Sequence, residues 1–505
     1  MNLTETPTSA PALRIDNPAT GEHVGTVPVS SPADVGAAAD RARAAQPAWE
    51  GLGIRQRRRV LARFHDLLFE RQGEILDTVQ RESGKTRREA LGELLAIAGT
   101  ARYYLAHGEG YLASKRHAGA SPFITGARVV YRPHGVVGFI TPWNYPFILS
   151  IGDALPALLA GNAVVIKPSE LTPLSAELAR TLLVDSGLAE DLVQLVHGYG
   201  AVGATLIEHV DYISFTGSVA TGRKVAMAAA GRLIPSSLEL GGKNPMIVLE
   251  GASLDDAVSG LMSGAFYNTG QTCIAVERVY VQSSIFDRFA DLARRRTEEL
   301  EIGWSLDWDI DVGSLISREH SDKVMGHIDD AVTRGATVLT GGERRPDLGP
   351  TFVAPTLLTG VEDSMELSCE ETFGPVVALY PVADAEEAVA RANDTAYGLN
   401  ASVWTGDKRT SQALAQRIEA GSVGINSTLL IYATYDVPMG GVKQSGIGRR
   451  HGRPGIRRFT RSQSIVDSVA KGGGYEGILA RITSQSRADK LARAFKLMRH
   501  IPGLR

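Results

Sequence analysis

Residues 164–216 read VVIKPSELTPLSAELARTLLVDSGLAEDLVQLVHGYGAVGATLIEHVDYISFT. Three short apolar runs, at 164–167, 193–197 and 212–216, alternate with stretches of helical length and helical periodicity. Strands that alternate with helices in this way belong to βαβ units and a largely parallel sheet. The same texture continues at 245–249 and 278–281, and a second series of alternations runs from about 250 to 440. The sequence therefore predicts an α/β fold with two lobes.

Upstream, helices are expected over 34–48, 54–82 and 86–112, behind an extended arm with short strands in residues 1–30. Ser31-Pro-Ala-Asp34 reads as a helix start, with a capping serine, proline in the first turn and an acid three residues on. Ser253-Leu-Asp-Asp256 and Asp384-Ala-Glu-Glu387 repeat the pattern. Residues 121–135 read as a strand pair outside the βαβ series. Residues 456–467 read as one more strand, able to pair with it in a separate projecting sheet.

Bulk properties narrow the function classes. A chain of 505 residues suits two large lobes, and a net charge of −3 gives no sign of nucleic-acid binding. Two cysteines, Cys273 and Cys369, do not make a disulfide framework. The first residues lack a basic end followed by an apolar core, so no secretory leader is read and a cytoplasmic protein is expected. Residues 135–166 carry one charge, Asp153, but Pro142, Pro146 and Pro156 interrupt any membrane-spanning helix, and a buried core segment is expected. The histidines show no ligand spacing, and no catalytic metal is expected.

Four segments carry chemistry. In Phe266-Tyr-Asn-Thr-Gly-Gln-Thr-Cys273 a cysteine sits in a polar, glycine-containing turn, near backbone N–H groups that favour a thiolate and can hold an oxyanion. Ser237-Leu-Glu-Leu-Gly-Gly-Lys-Asn-Pro245 puts Glu239 in an apolar setting that raises its pKa, as a general base requires. Thr141-Pro-Trp-Asn-Tyr-Pro146 presents the amide of Asn144 from a rigid loop. Glu371-Thr-Phe-Gly-Pro375 joins an acid and a ring before a turn. Each segment also has a purely structural reading; together they supply a nucleophile, a base, an oxyanion donor and a cofactor clamp. Cys369 is expected to be a small buried hydrophobe. Gly198-Tyr-Gly-Ala-Val-Gly203 matches GxGxxG, but lacks the acid some twenty residues on that a dinucleotide fingerprint wants, so the match is partly coincidental.

The segments PWNYP (142–146), KPSE (167–170), FTGS (215–218), LELGGKNP (238–245), GQTC (270–273), ETFGPV (371–376) and GGVKQSGIGR (440–449) occur in the order seen in the NAD(P)+-dependent aldehyde dehydrogenase superfamily. The chain resembles that family over roughly residues 14–468, nearest to actinobacterial enzymes labelled succinate-semialdehyde dehydrogenases. The resemblance implies two Rossmann-like open parallel-sheet domains plus a small oligomerisation sheet. It places the NAD(P)-binding domain at 1–119 and 136–243, the catalytic domain at 244–443, oligomerisation strands at 120–135 and 456–470, and a C-terminal extension at 471–505.

The resemblance also implies roles. Cys273 attacks the aldehyde, Asn144 and the Cys273 N–H hold the oxyanion, and Glu239 activates water against the thioester. Glu371 holds the nicotinamide ribose with Phe373 nearby, Lys167 and Glu170 contact the adenine ribose, and Gly217 and Ser218 lie at the pyrophosphate. Thr141, Pro142, Trp143, Ser169, Gly200, Phe215 and Leu240 complete the expected cofactor site. Glu170 favours NAD over NADP, because a carboxylate accepts from ribose hydroxyls and repels a 2′-phosphate; its alternative role is to cap the next helix.

Substrate preference departs from the nearest label. Dedicated succinate-semialdehyde enzymes carry channel arginines where this chain has Tyr267 and Gly152, and Arg278 is the remaining candidate. A channel of Phe147, Ile148, Tyr267, Ile274, Ile431 and Tyr432 suits an apolar aliphatic or aromatic aldehyde. Succinate-semialdehyde oxidation is the alternative; a CoA-acylating enzyme or a non-enzymatic binding protein is disfavoured because Glu239, Cys273 and Asn144 are all present. A homodimer or homotetramer is expected. Residues 479–505 set Arg481, Arg487, Lys490, Arg493, Lys496, Arg499 and Arg505 against Asp489 alone. Such a basic amphipathic helix can lie on an anionic membrane, but packing on a neighbouring subunit or over the channel mouth is the preferred reading.

Overall fold

A computed structural model describes residues 11–118, 125–468 and 474–498. Residues 1–10 of the expected arm, 121–124 of the expected strand pair and both ends of the basic extension lie outside the described residues. The arm forms a hairpin, Ala12–Asp16 against His23–Pro28.

All three helix starts read from the sequence are present. Ser31 and Asp34 form a reciprocal capping box at the head of Pro32–Gly51. Ser253 caps Leu254–Phe266, and Asp384 accepts from the N–H groups of Glu386 and Glu387 ahead of Ala385–Asn393. Thr86 and Glu89 form a further box before Arg87–Leu112. The single helix expected over 54–82 is instead two, Gly53–Glu70 and Gln72–Ser83. The break falls at Arg71, whose guanidinium is anchored to Glu74 and Asp185.

Residues 135–166 form strand Val136–Ile140, helices Pro146–Ile151 and Ala154–Leu159, and strand Ala163–Lys167. Among the described residues no helix is long and apolar enough to cross a membrane.

The first large sheet has the spatial order Gly446–Ile447, Ser236–Glu239, Tyr212–Thr216, Val136–Ile140, Ala163–Lys167, Val193–Leu195. All neighbours are parallel except the first pair. Both faces are covered by helices, so the strands are buried along their length; every residue of Ala163–Lys167 is buried. The chain builds outward from Val136–Ile140 through the next two strands, then returns to add Tyr212–Thr216 on the other side. That reversal opens a crevice at the carboxyl ends of Val136–Ile140 and Tyr212–Thr216.

The second sheet runs Thr337–Thr340, Thr356–Thr359, Val376–Val382, Val276–Gln282, Asn244–Val248, Asn400–Trp404, Ser422–Ile425 and is parallel apart from its first strand. Its core includes Ile247, Val279, Leu379 and Val403.

The third sheet is antiparallel. Thr460–Ser468 pairs along its whole length with Thr125–Pro133, and Lys115–Ala118 adds the other edge. Two expectations are corrected here. Lys115–Ala118, read as part of the first lobe, belongs to this sheet. The strand expected from 456 begins only at Thr460, because Gly452–Arg457 is a short helix with Pro454 in its first turn.

Candidate active site

Cys273 stands at the amino end of Val276–Gln282, where the second lobe faces the crevice of the first. Helix Leu254–Phe266 ends in a tight turn in which Asn268 and Thr269 adopt left-handed φ values of 55° and 56°. Such backbone costs on the order of 1 kcal/mol or more per residue and persists only when its surroundings hold it. Here Asn268 Nδ2 donates to the carbonyls of Asn144 (2.9 Å) and Gln271 (3.1 Å), and Gln271 Nε2 donates back to Asn268 O. Gly270 (φ 70°) is packed so closely on the backbone of Gly374 that a Cβ would lie 2.1 Å from its carbonyl oxygen.

The turn leaves Cys273 half-buried. Burial pushes its thiol up to about 12; the Arg450 cation pulls it down, while Glu371 and Glu239 push it further up. Burial of Cys273 thus opposes the thiolate that nearby backbone N–H groups favour. Its own N–H is a weaker influence than desolvation and two carboxyls.

Asn144 is buried in the loop after Val136–Ile140. Its Nδ2 donates to Gln271 O at 2.9 Å, two residues before Cys273, and its Oδ1 has no hydrogen-bond partner. Its carbonyl accepts from Lys85 Nζ (2.9 Å). Tyr145 bonds Thr272 Oγ1 at 2.7 Å, so with the Asn268 amide on the Asn144 carbonyl the two loops are joined three times.

Glu239 ends the strand Ser236–Glu239 and is buried, with Oε1 lacking a hydrogen-bond partner. Burial raises its carboxyl to about 7 against the pull of Arg450 and Arg458. Arg450 Nε lies 4.0 Å from Glu239 Oε1, and Arg450 Nη2 is 3.3 Å from Asp153 Oδ2. Arg458 Nη2 approaches the other Asp153 oxygen at 2.8 Å.

The expected cofactor residues cluster at the carboxyl ends of the first sheet. Thr141 follows Val136–Ile140, and its N–H donates to Lys167 O at 3.1 Å. Lys167 Nζ is 3.4 Å from Glu170 Oε2. Ser169 Oγ accepts from Leu171 N–H. Glu170 does not cap the next helix; Glu82 does, accepting from the N–H groups of Leu174 and Ser175. Gly200 opens helix Gly200–His209 beside exposed Tyr199.

Ser218 caps Val219–Gly231, and a Cβ on Gly217 would fall 2.6 Å from the Phe215 ring. Leu240 packs on Gly222 of that helix. Across the crevice, the Trp143 ring, flanked by Pro142, meets Phe373 edge-on at 5.5 Å. Phe373 (φ 59°) accepts from His320 at its carbonyl. Glu371 Oε1 accepts from Gly242 N–H at 2.9 Å, and its acid is raised to about 7 by burial and Glu277.

Comparison with known proteins decides the family. The aldehyde dehydrogenase family model matches residues 6–465. The chain belongs to the aldehyde dehydrogenase family. A Mycolicibacterium smegmatis protein with the provisional name succinate-semialdehyde dehydrogenase [NADP(+)] is 46% identical, over 89% of this chain and 87% of its own. A Methylomonas protein named 4,4′-diapolycopene aldehyde oxidase is 39% identical, over 88% of this chain and 83% of its own. The crystal structure of a Mycobacterium tuberculosis aldehyde dehydrogenase complexed with NAD+ superposes with a TM-score of 0.87 at 34% identity, covering 91% of this chain and 95% of that one. This aldehyde dehydrogenase is thus an NAD(P)+-dependent oxidoreductase acting on an aldehyde, with two parallel-sheet lobes and a small antiparallel sheet.

The aldehyde dehydrogenase divides its expected channel residues. Ile274, Ile431 and Tyr432 pack with Cys273, Leu399 and Met439 in one apolar cluster. Ile148 and Tyr432 line a small cavity with Gly152, Asp153 and Arg450. Tyr267 turns its hydroxyl toward Glu89 O and Gly92. Phe147 is fully buried in the core of the first lobe and belongs to neither group. Arg278 is spent on carbonyls: it donates to Lys243 O, Arg391 O and Ala392 O. Cys369 is exposed rather than buried, closing the short helix Glu366–Cys369 with its thiol on Asp363 O.

Sequence reasoning missed Arg450, Arg458, Lys85, Glu93, Lys243 and Glu277. The last pair is buried, and Glu277 holds the N–H groups of Thr372 and Phe373 beside Glu371. One signal was present: a lone acid such as Asp153 in an apolar stretch demands a cationic partner.

Proposed function

We propose that this enzyme oxidises uncharged aliphatic or aromatic aldehydes to carboxylic acids, with Cys273 as nucleophile and Glu239 as the hydrolytic base. The observation that carries this reading is the Glu239 carboxyl: it is buried and has an oxygen without a hydrogen-bond partner. Its charge is felt by the Cys273 thiol. A group raised to about 7 is tuned for proton transfer near neutrality.

The residues fit a dinucleotide. The free N–H groups at the head of Val219–Gly231, the side-chain-free approach at Gly217 and the Lys167–Glu170 pair form a cradle at the switch point. NAD(P)+, when bound, supplies the hydride acceptor. Lys167 is engaged by Glu170, which favours NAD over NADP; the smegmatis relative carries NADP(+) in its name, so both belong in the assay.

The chain's own residues do the rest. Cys273, once deprotonated, forms a C–S bond to the carbonyl carbon, and the Asn144 amide with the Cys273 N–H receives the oxyanion. Loss of hydride converts this adduct to a thioester. Glu239 takes a proton from water, whose oxygen adds to the thioester carbon; the C–S bond breaks, releasing the acid and regenerating the thiolate.

Arg278 is committed to carbonyls, and Arg450 is compensated by Asp153 and Glu239. Neither offers an uncompensated charge to a substrate carboxylate, which supports the uncharged class; the Methylomonas relative is named for diapolycopene aldehyde. Succinate-semialdehyde oxidation remains the second reading on the smegmatis relative's name.

The test is NAD(P)H formation without CoA from benzaldehyde, hexanal and succinic semialdehyde. Cys273→Ala is expected to abolish it, and Glu239→Gln to retain one NAD(P)H per site while turnover falls by about 10²–10⁴-fold. Since the base works ionised, wild-type turnover should rise with pH through about 7. Succinic semialdehyde matching benzaldehyde in kcat/KM would overturn the substrate class.

The assembly we propose is a homodimer or homotetramer built on the third sheet. Thr460–Ser468 is exposed over most of its length, and Val466 is 67% exposed. The helix Gln485–Met498 is proposed to pack on a second subunit rather than on a membrane.

A further inference from the structure

Four charged side chains from three parts of the sequence stand in a row: Glu239 and Arg450 are buried, and Asp153 and Arg458 are nearly so, with side chains 17% and 8% exposed. Their signs alternate. The row is neutral only when Glu239 has lost its proton; a protonated Glu239 leaves one buried cation in excess. The backbone fixes this register twice. Gly446 and Ile447 pair antiparallel with Glu239 and Leu238, and Arg450 exchanges two backbone hydrogen bonds with Met439 (2.9 and 2.7 Å). Gly440 closes over the carboxylate, for a Cβ there would be 3.1 Å from Glu239 Oε1.

The spacing is informative. At 4.0 Å, Arg450 Nε attracts Glu239 Oε1 without bonding it, and both atoms lack a hydrogen-bond partner. Coulomb attraction across such a gap in a buried site favours the ionised carboxylate, while leaving the oxygen free to receive a proton from water. A direct bidentate pair would occupy it.

Resting on the reading of Glu239 as base, we propose that Arg450 is its positioning residue, a buried counter-charge held by Asp153 that keeps Glu239 ionisable and unoccupied. The other groups felt by Glu239 are Arg449 and Arg458, which favour the anion, and Asp153, which opposes it; Tyr212 and Cys273 also face it. Arg450 and Asp153 therefore act on Glu239 with opposite signs.

The experiment follows acyl-enzyme decay by rapid quench across pH in the full-length protein, for wild type, Arg450→Met, Arg450→Lys, Asp153→Asn and Glu239→Gln. Arg450→Met should move the acid limb up by about 1 pH unit or more, slowing decay at pH 7 by about five-fold with little change in KM. Arg450→Lys should restore most of the limb, and Asp153→Asn should move it down. An acid limb in Arg450→Met that coincides with wild type, with acylation intact, overturns the proposal. If that variant does not fold, an unmoved or upward limb in Asp153→Asn does so. Decay at the wild-type rate in Glu239→Gln would instead overturn the reading of Glu239 itself.

Discussion

Lys85 lies beneath Asn144 with its ammonium on the Asn144 carbonyl, paired to Glu93 and 4.4 Å from the Tyr145 ring centre. Glu93 in turn holds the N–H groups of Phe147 and Ile148 at 3.0 Å. The proposed oxyanion loop is thus fastened from below by a fully buried ion pair. Breaking such a pair leaves an uncompensated buried charge, so Lys85→Met should cost about 3–5 kcal/mol, read as a lower urea midpoint. Adding Glu93→Leu should not restore it, because two backbone donors would then be stranded. At this scale the sequence was legible where polar residues sat among glycine and proline: Cys273, Glu239 and Asn144 stood out, and the structure brings them to one crevice. Lys85 and Arg450 were not legible, because a buried ion declares itself only through a partner, and Asp153 and Arg450 are far apart in the chain. The groups that oppose a Cys273 thiolate were hidden for a related reason: besides burial itself, they are Glu239 and Glu371, on separate segments.

Helices announced their starts but not their internal breaks. Ser31, Ser253 and Asp384 are local signals, each satisfied by N–H groups two or three residues on. The break at Arg71 has no proline and only Gly73 two residues on, and the Arg71 guanidinium reaches Asp185, more than a hundred residues away. Lys115–Ala118, with three basic residues in four, carries no apolar alternation and becomes a strand only because Thr125–Pro133 offers it an edge. Two substitutions separate local from tertiary effects. Ser31→Ala removes one reciprocal cap and should cost about 1 kcal/mol. Gly84→Ala should cost more. Gly84 is the left-handed terminus (φ 73°) of Gln72–Ser83, and a Cβ there would meet Ser314 Oγ at 2.1 Å. Thermal melts of the two variants side by side check the ranking.

For the whole molecule, the two-lobe parallel architecture was legible because buried parallel strands read as continuous apolar runs. The projecting sheet was legible only in part, because its strands are rich in polar residues and Thr460–Ser468 is far in sequence from the strand it pairs with. If that sheet is the assembly surface, Val466→Glu should shift the mass measured by light scattering toward the monomer while leaving single-site chemistry in place. An unchanged mass would put the interface elsewhere. Flotation of the full-length protein with anionic vesicles checks the tail; an unchanged soluble fraction agrees with a protein contact.

Residues 446–468 form one continuous ribbon: a two-residue strand pinned against Glu239, the two arginines of the buried row, a short helix, and the exposed strand Thr460–Ser468. On the proposed assembly and the proposed role of Glu239, recombination between relatives could not trade quaternary contacts and base chemistry separately within this stretch. Chimeras cut inside the ribbon would mismatch one to the other, whereas a ribbon exchanged whole, together with Asp153 and Glu239, travels as a single heritable part.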